Sequence, residues 1–81
     1  MHEIHLVKKL FAHLKEEEEH SHRKVKTVYV RISEFGSIKG GHLKESFSRE
    51  CAGTPFEKVS LNIETVPYGT EMDIVNIDFQ D

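Results

Sequence analysis

Val25-Lys-Thr-Val-Tyr-Val-Arg-Ile-Ser33 is the stretch on which the fold turns. Val28, Val30 and Ile32 fall on one side of a period-two pattern, and Thr27, Tyr29 and Arg31 on the other. β-Branched and aromatic residues in that alternation predict a half-buried strand. Upstream the period changes. Ile4, Val7, Leu10, Phe11 and Leu14 recur every three or four residues, which predicts an amphipathic helix from Ile4 to about Glu19. The acidic run Glu16–Glu19 opposes the helix dipole at that end, so fraying is expected around His20, with Ser21 to Lys24 as a connector.

Downstream, Glu34-Phe35-Gly36-Ser37 ends the strand and Gly40-Gly41 precedes a second helix. In it Leu43, Phe47 and Cys51 repeat every four residues; Gly53 is placed to cap it and Thr54-Pro55 stops it. A second strand is expected from about Lys58 to Val66, with Val59, Leu61 and Ile63 on its buried face. Pro67-Tyr68-Gly69-Thr70 reads as a tight turn into a last strand from Glu71 to about Phe79. The apolar residues of that strand slip in phase, Met72 and Ile74 against Ile77 and Phe79, which predicts a β-bulge near Val75 or Asn76. The predicted class is α+β, in the order helix, strand, helix, strand, strand, with both helices on one face of a three-stranded sheet.

The chain has 81 residues, enough for one domain with a small core. One cysteine excludes a disulfide framework and a four-cysteine zinc site. No apolar run exceeds three residues, so neither a membrane span nor a signal-peptide core is expected, and the chain is read as cytoplasmic. A net charge of −3 gives no reason to expect nucleic acid. Six histidines are the compositional excess, and they suggest metal. No nucleophile, base and orienting group can be assembled, and no Gly-x-Gly-x-x-Gly or Walker motif is present, so no enzyme activity is expected.

Met1-His2-Glu3-Ile4, followed by the amphipathic helix, resembles the opening of the HypA family of nickel metallochaperones for hydrogenase and urease maturation. The stretch from Lys24 to Gly36 looks like that family's first strand and the turn after it. Leu43 to Phe47 looks like its second helix, and Gly53-Thr54-Pro55 like the exit from that helix. Leu61 to Pro67 looks like the strand leading to the family's zinc domain, and Gly69 to Asp81 like the strand after it. The two Cys-x-x-Cys pairs of that domain are missing, and only four residues separate Val66 from Glu71. The chain thus resembles the nickel domain alone, and no zinc is expected. The junction is compatible with a natural or an engineered loss.

Nickel(II) at a tetragonal site favours nitrogen donors in a plane. A free amine on Met1, the His2 amide nitrogen and His2 Nδ1 can bind one ion, closing a five-membered and a six-membered chelate ring. The resemblance implies the Glu3 amide nitrogen as a further donor, while geometry alone leaves the fourth position open. His5, one helical turn from His2, is an additional candidate, although a solvated histidine there needs no metal. A bulky His2 also protects Met1 from removal and keeps the amine in register. His20-x-His22 beside four glutamates could collect metal weakly, but reads equally as an exposed helix end. His13 lies about 16 Å along the helix from His2 and cannot share its ion. His42 is read as surface and Cys51 as a packed thiol.

The resemblance implies a nickel(II)-binding accessory protein that serves a nickel-enzyme precursor, with a HypB-type GTPase as partner. The alternative is a protein-interaction domain that keeps this fold and binds metal incidentally.

Overall fold

The computed structural model describes residues 2–36, 38–69 and 72–80, and of residues 2–4 only the backbone. The elements are α1 (His2–Ser21), β1 (Val25–Ser33), α2 (Gly40–Cys51), β2 (Ser60–Val66) and β3 (Met72–Phe79). The strands form one mixed sheet in the order β2-β1-β3. β1 is parallel to β2 and antiparallel to β3. It takes the centre because Val28, Val30 and Ile32 make it the most apolar strand; all three are buried against the helices. The edge strands turn Leu61 and half-buried apolar residues inward between exposed ones, as partly solvated positions require. The predicted α+β class and element order are therefore those of the protein.

α1 contributes Leu6, Val7, Leu10 and Leu14 to the core, and α2 contributes Leu43, Phe47 and Cys51. The every-four stripe of α2 is buried as its spacing predicts. On α1 the stripe is shifted: Leu6 is buried and Phe11 is half-buried, its ring packed edge-on to Phe56 with centroids 5.4 Å apart. Phe56 and Ile38 lie in connecting segments yet complete the core. The Gly53 stop works through a turn rather than a direct cap. Ala52 has φ −58° and ψ 128°, Gly53 has φ 76°, and the Thr54 N–H donates to the Cys51 carbonyl at 3.0 Å. This is the type II pattern, whose third residue favours glycine.

The predicted bulge is present. Tyr29 pairs with Asn76 and Val30 with Ile74, so Val75 has no partner on β1 and is exposed. That extra residue lets Met72, Ile74, Ile77 and Phe79 all turn toward the core. A second irregularity was not foreseen: Val25 pairs with Phe79 and Thr27 with Asp78, leaving Lys26 over. It rotates Val25 inward, where it is fully buried.

Two expectations need correction. β2 and β3 are not neighbours, so the tight turn expected after Val66 is instead a link from one edge of the sheet to the other. β1 holds the middle of the sheet and pairs on both sides, which excludes direct β2–β3 pairing. Nor does α1 stop near Glu19. It continues to Ser21, and His22 closes it at φ 58° with its N–H on the Glu18 carbonyl. The Glu18 carboxylate accepts the Val25 N–H at 2.8 Å and faces Lys24 at 3.7 Å. An acidic residue in an unfavourable dipole position is thereby held by the first amide of the next strand. Glu18→Ala is expected to cost about 1–3 kcal/mol in urea unfolding, because a part-buried N–H loses its acceptor. Glu18→Gln, which keeps an acceptor oxygen, should cost less.

Candidate metal centre

Only residues 22–24 join α1 to β1, so the strand runs back along the helix. His13 and Glu17 accordingly border Ile77 and Phe79, over the start of β1. At 1.5 Å per residue, α1 is about 30 Å long. Its first turn therefore sits at the other end of the sheet, with the Glu34–Gly36 turn and Pro67–Gly69.

Of the expected ligand residues, Met1 lies outside the described residues. His2 and Glu3 open α1, and their side chains are also outside the description. What the backbone establishes is the position of two amides. Helix N–H groups donate to carbonyls four residues earlier, so those of His2 and Glu3 have no acceptor within the helix. The nitrogens of Met1, His2 and Glu3 are consecutive, and no tertiary contact is needed to bring them together. His5 is exposed on α1.

The remaining histidines do not assemble a site. His13 Nε2 lies 3.8 Å from Glu17 Oε1, a half-exposed pair one helical turn apart. His20, His22 and His42 are exposed. Among the described residues, no three side chains of His, Cys, Asp or Glu converge on a point where an ion could sit. Cys51 is buried in the core, and burial, with the nearby charge of Glu50, pushes its thiol up to about 11. It is thus neither a nucleophile nor a ready soft ligand. Among the described residues, no helix is long and apolar enough to cross a membrane.

One feature of the first-turn end went unread in the sequence. Phe35 and Tyr68 are 76% and 84% exposed, and their rings lie 6.5 Å apart at a tilt of 41°. Each sits in a turn, where periodicity carries no signal; their closeness depends on the crossing after β2.

The chain thus folds as α-β-α-β-β, and its first helix opens at His2-Glu3. Its sequence matches the model of the family described as hydrogenase/urease nickel incorporation, metallochaperone, HypA, over residues 1–76. The chain belongs to the HypA family, the nickel metallochaperones of hydrogenase and urease maturation. Among solved structures it is similar to the solution structure of the nickel metallochaperone HypA from Helicobacter pylori. That likeness has a TM-score of 0.82 at 14% identity and covers 95% of this chain and 96% of the other, which shows the shared fold. No curated protein matches the sequence.

Proposed function

We propose that this chain carries nickel(II) on its first three residues and hands it to a nickel-enzyme precursor, with a HypB-type GTPase as partner. The donors are the Met1 amine, the His2 amide nitrogen, His2 Nδ1 and the Glu3 amide nitrogen, with His5 in reserve. The observation that carries this reading is the start of α1 at His2, which leaves the amides of His2 and Glu3 without helical acceptors. The family match, which includes these residues, supports it.

Loading on these donors has a local consequence for α1. Two consecutive amide nitrogens can share a planar ion only if the N–Cα–C–N torsion between them is close to zero, whereas helical ψ is about −42°. Binding therefore unwinds the first turn locally, and release lets it re-form. The cost falls on residues ahead of Leu6, the first buried side chain among the described residues, so the core is undisturbed. A site that must give up its ion suits such a terminus. His2→Ala removes the only strong side-chain donor of the tripeptide and is expected to abolish the one tight nickel site per chain. Unchanged stoichiometry and affinity in calorimetry would reject this assignment.

We also propose that the zinc domain of the family is absent between Val66 and Glu71, where four residues leave no room for a zinc knuckle. The core supports this, since it closes on apolar side chains from both helices and all three strands. Chelator treatment should leave the circular dichroism spectrum unchanged; a collapse would overturn the reading.

A further inference from the structure

The two edges of the sheet are finished differently. β3 carries the Val75 bulge and the exposed carboxylates of Asp73 and Asp78, features that discourage edge pairing. β2 has neither a bulge nor a proline, and pairs with β1 in unbroken register from Ser60 to Val66. Its one charge, Glu64, is held by Arg31 at 2.7 Å. A single bond fixes which backbone groups of β2 are open. The Val66 carbonyl accepts the Glu34 N–H at 2.6 Å and so faces β1. Alternate residues of a parallel strand point their N–H and C=O the same way, so Glu64, Asn62 and Ser60 also face β1. Leu61, Ile63 and Thr65 therefore present theirs to the open edge.

Beside that edge runs a groove of about 380 Å³, bounded on its α2 side by Gly40, Gly41 and Lys44. A side-chain carbon added at Gly40 would come within 3.6 Å of Ile63, while one at Gly41 would meet nothing within 4 Å. Two residues without side chains thus keep the approach to the strand clear.

We propose that the β2 edge pairs with the β2 edge of a second copy of this chain, antiparallel about a two-fold axis at Ile63, to give a six-stranded sheet. Directly opposed residues of a hydrogen-bonded antiparallel pair exchange both their bonds. An axis at Ile63 sets Ile63 opposite itself and Leu61 opposite Thr65, so every outward N–H and C=O on both strands is satisfied. The neighbouring registers fail. A shift one way opposes Thr65 to Val59, whose N–H is already given to the Phe56 carbonyl. A shift the other way opposes Leu61 to Pro67, which has no N–H. The centred register also sets Glu64 against Asn62 of the second copy, so like charges do not face each other. The half-buried Ile63 side chains meet at the axis. The surface is thus complementary to itself, as a closed dimer requires. Antiparallel pairing sends the two α1 openings to opposite ends of the joint sheet, and the proposal is independent of nickel binding.

The test is sedimentation of the full chain from micromolar to millimolar concentration, with amide exchange followed by NMR. A monomer–dimer equilibrium is expected, with exchange at Leu61, Ile63 and Thr65 slowing as dimer forms. Thr65→Pro removes an N–H that β1 does not use and should weaken association about tenfold or more. Asn62→Lys, facing Glu64 of the other copy, should strengthen it about twofold to tenfold, and Asn62→Glu should weaken it by a similar factor. Circular dichroism checks that each variant is folded. A monomer at every concentration overturns the proposal, as does a dimer that these substitutions leave unchanged. Protection of the three amides only when an extended peptide is added would assign the edge to a different partner and overturn it equally.

Discussion

Blocking the amine of Met1 with an acetyl group is expected to eliminate the tight nickel site while leaving the fold intact. Acetylation turns the Met1 nitrogen into an ordinary amide and leaves no primary amine to begin the chelate. The five-membered ring that the amine closes with the His2 amide is then lost, and with it one nitrogen of the planar set. The apolar contacts of α1 begin at Leu6 among the described residues, so helix packing is not touched. A site built from His20 and His22, or from the side chains of His2 and His5, would survive acetylation. Optical titration separates these cases: persistence of the planar nickel absorption would reject amine ligation.

Phe47→Ala is expected to have the largest effect on stability. Phe47 is buried on α2, its ring 6.3 Å from that of Phe11, which in turn packs on Phe56. Truncation leaves a cavity at the meeting point of both helices and the segment before β2, at a cost of about 3–5 kcal/mol. At about 0.05–0.15 kcal/mol per residue, 81 residues hold only about 4–12 kcal/mol in total. Denaturant titrations should therefore show a midpoint well below that of the parent chain. A loss under about 1 kcal/mol would mean that the aromatic cluster does not carry the core.

The parts of this fold that periodicity encodes were legible in the sequence. Leu43, Phe47 and Cys51 announce their helix face, and the phase slip from Ile74 to Ile77 announces the bulge at Val75. What was not legible depends on partners distant in the chain. Ile38 and Phe56 sit in non-repeating segments and are buried only because the elements close over them. The irregularity at Lys26 exists in the pairing with Phe79 and Asp78, which the strand's own pattern does not contain. Strand order was hidden for the same reason, and Glu18 reads as a solvated charge until Val25 is placed beside it. The proposed metal centre is the opposite case. Its donors are adjacent along the chain, so Met1, His2 and Glu3 can be named without any knowledge of tertiary structure. The exposed rings of Phe35 and Tyr68 could not be paired that way.

The crossing from β2 to β3 sets a mechanical constraint on what the chain can carry at that point. Strands lie about 4.8 Å apart, so with β1 between them the ends of β2 and β3 stand about 10 Å from each other. Six Cα–Cα steps from Val66 to Met72 can span about 20 Å, which leaves slack of roughly half the reach. A two-residue link, three steps of about 10 Å in all, would have to be fully extended to close that gap. Anything inserted there is gripped at two separated posts rather than swung from a single hinge, so it is resisted in rotation as well as translation. The domain can therefore lose or gain a passenger at this seam and keep the same three strands in the same order.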